Sequence, residues 1–224
     1  MAKLHLVRHS EPAWGTELPP SKWVLTGQGK IRSRELGVYL GKQVVSRIFS
    51  SDENKAVETA EIAADVAGIK KVIIDSSLRE HDRDNAPRPP SKKRDDLIID
   101  CIRNPDKLIW GNETVSEATN RFGEAVERFV PNDQAENVAI VSHGTVISMF
   151  VAQQLNIDPV SLWKSMGLPW LIEIDWPNPT KIIREISFNS SWVSELYRWR
   201  NYFKLGLINL SNKFFFHHSE SSCF

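Results

Sequence analysis

Four short stretches of strand character, at residues 4–7, 44–49, 72–74 and 138–141, each end abruptly in polar residues, and stretches with helical features lie between them. Strands that alternate with helices need crossover connections, which put the strands side by side in a mainly parallel sheet covered on both faces. The expected fold is therefore α/β, a three-layer α/β/α sandwich around a mainly parallel central sheet. Ligands of such sheets meet the carboxyl ends of the strands. A chain of 224 residues suits one domain of this kind with additions, or two small domains. The boundary falls near residue 189, with a domain over 1–189 and a C-terminal helical extension over 190–224.

Local signals fill in the helices. Thr26 is placed to cap one that reaches about Gly41. The turn Ser50-Ser51-Asp52 offers an N-cap to a second, whose apolar face is Val57, Ala60, Ala64 and Ala67 and which stops at Gly68. Residues 81–95 are charged and proline-rich, with Arg83, Arg88, Lys92, Lys93 and Arg94, and read either as a lid or as a solvated loop. Leu97, Ile98, Cys101 and Ile102 suit a short helix, and Thr114 opens another that turns Val115, Ala118, Phe122, Val126 and Phe129 to one side. A helix begins directly after the fourth strand-like stretch, and residues 170–174 and 182–186 pair as a hairpin. In the extension, Trp192, Leu196, Trp199, Phe203 and Leu207 recur at helical spacing. Such an amphipathic helix packs on its own domain, or else offers a face to a partner, a second copy included, or to a membrane surface. The tail beyond it has no interpretable pattern.

Composition narrows the partners. Lysine plus arginine and aspartate plus glutamate number 28 each, so global charge favours neither nucleic acid nor a membrane surface, and any preference for anions must be local. No run approaches the length of a transmembrane helix. The first strand-like stretch meets Arg8 too early to be a signal peptide, and two cysteines are too few for a disulfide framework. A cytoplasmic protein is expected.

Chemistry collects at the strand ends. Arg8-His9 follows the first strand, Ser50 to Lys55 the second, Glu80 the third, and His143-Gly144-Thr145 the fourth. A lysine in the first turn of a helix adds charge to an end that is already positive, which makes a place for an anion. A Gly-Thr pair at another helix start offers backbone N–H groups to a phosphate. Cations and amides around a neutral imidazole suit phosphoryl transfer, because they neutralise the equatorial oxygens while a ring nitrogen attacks. A carboxyl whose pKa is raised by burial would protonate the leaving oxygen. His5 alternates to the other face of its strand and is expected to be structural.

These segments resemble the histidine phosphatase superfamily, the phosphoglycerate mutase-like fold. Leu6-Val7-Arg8-His9-Ser10-Glu11 is similar to the family's Leu-Val-Arg-His-Gly-Glu, and Leu25-Thr26-Gly27-Gln28-Gly29 to its Leu-Thr-x-x-Gly. Ser50-Ser51 through Lys55-Ala56 and Thr59-Ala60 resembles its Ser-Ser-x-x-x-Arg-Ala-x-x-Thr-Ala. Leu78-Arg79-Glu80 stands where the family has Leu-x-Glu, and Ser142-His143-Gly144 matches its Ser-His-Gly. The motifs occur in the family's order, each in its strand–helix context.

The resemblance implies a phosphomonoester hydrolase acting through a phosphohistidine on a small phosphorylated metabolite, with no metal and no cofactor. His9 would be the nucleophile. Arg8, Lys55 and His143 would hold the phosphoryl oxygens, with Ser10, Gly144 and Thr145 completing the phosphate-binding set. Glu80 would protonate the leaving group, with Asp82 its rival. Lys55 replaces the family's arginine, Ser10 its glycine, and Gly15 the asparagine of many members. The alternatives are a phosphoglycerate mutase-type transferase and a catalytically weakened phosphate-binding or interaction protein.

Overall fold

The structure, a computed structural model, describes residues 2–14, 17–84, 86–130 and 136–188, leaving aside the side chains of residues 91 and 92. The chain divides into two units, Met1–Asn189 and Ser190–Phe224. The expectations for Gly15, for the Lys92 side chain and for the amphipathic extension lie outside the described residues.

In chain order the elements are β1 (Ala2–Arg8), α1 (Gly27–Lys42), β2 (Arg47–Ser50), α2 (Asn54–Ala67), β3 (Val72–Ile74), α3 (Ser91–Arg103), α4 (Val115–Phe129), β4 (Val138–Ser142), α5 (Gly144–Leu155), α6 (Pro159–Ser165), β5 (Trp170–Trp176) and β6 (Ile182–Ser187). They form one six-stranded sheet in the order β3-β2-β4-β1-β5-β6. Strands β1 to β4 pair in parallel, while β5 and β6 add an antiparallel edge. This is the α/β/α sandwich with a mainly parallel sheet, its hairpin joined to β1.

The two faces follow from strand alternation. Leu4, Leu6, Val138 and Ile140 point into a core shared with Phe122 and Val126 of α4 and Ile147 and Phe150 of α5. Val7, Ile48, Ala139 and Val141 point the other way, against Leu36 and Leu40 of α1 and Ala56, Ala60 and Ala63 of α2. Burying a side chain such as Phe122 in this way stabilises the fold by about 1.5–3 kcal/mol. Thr26 caps α1 by accepting the Gly29 N–H, and Thr114 with Glu117 forms a reciprocal capping box at α4.

Strand order is what assembles a site. The chain leaves β1, builds β2 and β3 beyond a gap, and returns to fill that gap with β4. Arg8 is in register with Ser142, so His9 and His143 leave the sheet side by side, with the His9 N–H donating to the Ser142 carbonyl at 2.9 Å. Ser50 pairs with Val141, which carries the start of α2 to the opposite flank of β4. Three segments distant in sequence thus meet at one sheet edge.

Some local expectations need correction. β2 starts at Arg47, because Val44 sits in a turn with φ of 53° and is 79% exposed. α2 begins at Asn54 with Glu53 as the residue before it, so the Ser50-Ser51-Asp52 turn supplies no N-cap. Its buried face is Lys55, Ala56, Thr59, Ala60, Ala63 and Ala64, with Val57 and Ala67 only half-buried. The region read as a lid or loop becomes regular at Ser91, where α3 starts well before the short helix expected.

Candidate active site

A cleft of about 480 Å³ opens at the carboxyl ends of β1, β2 and β4. Arg8, His9, Lys55, Glu80 and His143 all line it. Ser10, Gly144 and Thr145 are not among its lining residues.

His9 is buried, and its Nδ1 stands 2.7 Å from the Ser10 carbonyl. A carbonyl only accepts, so Nδ1 carries the hydrogen and Nε2 keeps its lone pair. The ring lies 5.2 Å from that of His143, centroid to centroid. Burial first, then the charges of Lys55, His143 and Arg8, hold the His9 pKa well below its usual 6.5. The same logic applies to His143, through burial and then Lys55. Both rings are therefore neutral near neutrality, the state that a nitrogen nucleophile requires.

Because these histidines bind protons less readily folded than unfolded, their stabilisation is complete above pH 6.5 and is lost as the pH falls below it. Melting temperature is expected to drop between neutrality and about pH 5, before most carboxylates titrate. A His143→Asn variant is expected to show a shallower slope. A wild-type melting temperature that stays flat over that interval would contradict the neutral pair.

Arg8 is half-buried at the cleft wall: its Nη1 donates to the Met166 carbonyl at 2.9 Å, and burial ahead of all else lowers its pKa to about 10. Its Nε and Nδ1 of His143 are buried without a hydrogen-bond partner. Buried polar atoms left in that condition are costly.

Lys55 reaches the cleft, but its ammonium is engaged. It donates to the Pro20 carbonyl at 2.8 Å and to Oε2 of Glu53. Glu53 was not singled out from sequence; an acid preceding a helix reads as an ordinary cap, and nothing local tells that its side chain turns inward.

Glu80 sits against the start of α5, where Oε2 accepts the Thr145 N–H at 3.1 Å and Oε1 the Val146 N–H at 3.3 Å. The helix terminus expected to receive a phosphate thus holds this carboxylate. Burial pushes its pKa up, but Arg83 (3.4 Å away), His143 and the backbone donors outweigh that, and the net position lies below the usual carboxylate range. The expected upward shift is not found in this state. Asp82 stands at the rim, where it accepts from Asn112 and from the Asp84 N–H.

Ser10 lies behind His9, its N–H donating to Thr59 and its hydroxyl to the Gly29 carbonyl. Gly144 has a steric role, since a Cβ there would stand 3.2 Å from both Nε of Arg8 and Nε1 of Trp163. Alanine at 144 is expected to press the Arg8 guanidinium or Trp163 back by a few tenths of an ångström and to weaken oxyanion binding. Inhibition by orthovanadate measures this; unchanged affinity would contradict it. Trp163, on α6, was also missed, because no periodic pattern marked that helix. From the region read as a lid, Arg83 and Arg94 reach the cleft, packed over Trp110 and Trp14 respectively, whereas Arg88 bonds to the Glu17 and Leu18 carbonyls. His5 is buried on β1, with Nδ1 3.3 Å from the Val138 carbonyl.

The family model described as the histidine phosphatase superfamily, branch 1, matches residues 4–176. The chain belongs to that superfamily. Among curated relatives, it is 28% identical over 156 residues to the phosphoglycerate mutase-like protein 4 of Arabidopsis thaliana, covering 65% of this chain and 68% of that one. It is 27% identical over 168 residues to a probable phosphoglycerate mutase of Salmonella paratyphi A, covering 70% of this chain and 76% of that one. Solved structures share the histidine phosphatase fold. A phosphoserine phosphatase of Entamoeba histolytica superposes with a TM-score of 0.65 at 19% identity, over 85% of this chain and 98% of its own. A mycobacterial glucosyl-3-phosphoglycerate phosphatase does so with a TM-score of 0.65 at 20% identity, over 84% and 99%. Among the described residues, no helix is long and apolar enough to cross a membrane.

Proposed function

We propose that this histidine phosphatase superfamily member hydrolyses a small phosphomonoester through a phosphohistidine on His9. The observation that carries the proposal is the neutral His9 ring, tied by Nδ1 to the Ser10 carbonyl beside His143 and Arg8. Nε2 attacks phosphorus in line as the P–O bond to the leaving group breaks. Arg8 and His143 hold the equatorial oxygens, and the ester oxygen departs with a proton from Glu80. Water, deprotonated by Glu80, then cleaves the P–N bond and returns His9 to its starting state. Ser10 supports His9 from behind.

For Glu80 to start as the acid, its pKa must climb on substrate binding. The leaving group of a bound ester does this by covering the carboxylate and shutting water out of its surroundings. No metal takes part in the proposed cycle. The rim suits a substrate with a second anionic group, which Arg83 and Arg94 would meet. The relatives' names motivate a second reading, phosphoglycerate mutase-type transfer, in which the phosphoryl group passes to another hydroxyl instead of water.

A screen of metabolite phosphates with chelator present tests this. Inorganic phosphate released from one or a few small phosphomonoesters is expected, with Arg94→Ala raising KM for substrates that carry a second anion. Isomerised product without net phosphate release would favour the mutase. Binding without turnover of any substrate would overturn hydrolysis.

A further inference from the structure

A carboxylate stands inside the cationic cradle. Glu53 is 6% exposed and lines the cleft beside His9, Lys55 and His143. Its Oε2 holds the Lys55 ammonium, while Oε1 accepts the Glu80 N–H at 3.0 Å and lies 3.4 Å from Nε2 of His143. The proposed hydrolysis makes no use of it, and its charge opposes the ligand the cradle would receive. With the Pro20 carbonyl also on Nζ, Lys55 has little left to offer an oxyanion. A dianion a few ångströms from a fixed carboxylate is repelled, the more so where water is excluded.

One proton removes the conflict. A neutral carboxyl no longer repels the dianion, donates an O–H to it and frees the Lys55 ammonium to turn toward it. We propose that Glu53 is a specificity-determining residue that gates Lys55: the resting site is closed by their ion pair, and a tetrahedral dianion enters together with one solvent proton, taken up by the Glu53 carboxyl. This rests on the oxyanion-binding reading of the cleft and deepens it, because the ligand becomes a dianion plus a proton and its affinity falls as pH rises.

The groups facing Glu53 come from every element around it. Lys55 lies on its own helix, His143 at the start of α5, and His9 at the end of β1; the Glu80 amide and the Arg79 guanidinium come from the segment after β3. In the resting site, burial pushes the Glu53 pKa up, but Lys55 and the Glu80 amide outweigh it and hold the group ionised. An arriving dianion reverses that balance. Lys55 is thereby more than a weaker arginine, since its single ammonium can pair with one carboxylate and be released as a unit.

The test is titration calorimetry with sulfate, which stays a dianion across the working range, in buffers of different ionisation heat. Wild type is expected to take up about one proton per sulfate near neutrality and to lose about tenfold in affinity per pH unit. Glu53→Gln is expected to bind with almost no uptake and little pH dependence, and more tightly than wild type on the alkaline side. Glu80→Gln is expected to retain the uptake. Sulfate binding to wild type without proton uptake overturns the proposal even if Glu53→Gln fails to fold, as does undiminished uptake by Glu53→Gln or failure of sulfate to bind at all. Turnover of p-nitrophenyl phosphate by the same wild-type preparation separates the two ideas. Turnover with no proton uptake sinks the gate alone, whereas uptake with no turnover sinks hydrolysis and leaves the gate.

Discussion

Replacing His9 by alanine is expected to lower kcat by about 10⁴-fold or more while leaving the fold and oxyanion binding in place. The size follows from the role proposed for Nε2. No other described side chain offers a neutral nucleophilic nitrogen in the same position, and water lacks its alignment with the phosphorus. The variant loses one ring from a cleft that is already partly open, so its melting temperature is expected to change far less than its activity. Orthovanadate affinity is expected to fall only modestly, since Arg8 and His143 remain. Activity within tenfold of wild type would remove His9 from the mechanism.

Glutamine at position 80 is expected to separate substrates by their leaving groups. For an alkyl phosphate, whose alkoxide cannot depart unprotonated, kcat is expected to fall by about 10²–10⁴-fold. For p-nitrophenyl phosphate the first step proceeds, because nitrophenolate leaves without a proton. The second step lacks its base, so a burst of nitrophenolate equal to the enzyme present is expected, followed by slow turnover. Asp82→Asn, which alters only the rim hydrogen bonds to Asn112 and Asp84, is expected to show no burst. A burst from Asp82→Asn and none from Glu80→Gln would exchange their roles.

The architecture was legible because β1 and β4 carry largely apolar stretches, broken only by Lys3 and His5 in β1, that stop at chemically distinctive residues. The approach of His9 and His143 follows once β4 is known to lie beside β1, and the strand–helix alternation makes that arrangement available. Other features could not be read from local pattern. In α2 the inward face is made of alanines and Thr59, too small to stand out from the half-buried Val57. Val44 misled in the opposite direction: an apolar residue adjoining a strand was used in a turn. Placing Glu80 on the α5 amides needs the tertiary structure, and that contact decides which way its pKa moves. Glu53 is the most consequential omission. The Ser-Ser turn and Lys55 pointed to its neighbourhood, but only the path of the backbone shows its carboxylate between Lys55 and His143.

The measurement closest to the central claim is capture of the covalent intermediate. The enzyme is mixed with ³²P-labelled substrate, quenched in alkali, where a phosphorus–nitrogen bond survives, and digested for mapping. Label that is retained in alkali, lost in acid and confined to the peptide carrying His9 is the expected result, with none in His9→Ala. Rapid turnover with no alkali-stable label, or label carried by another residue, would contradict transfer through this histidine.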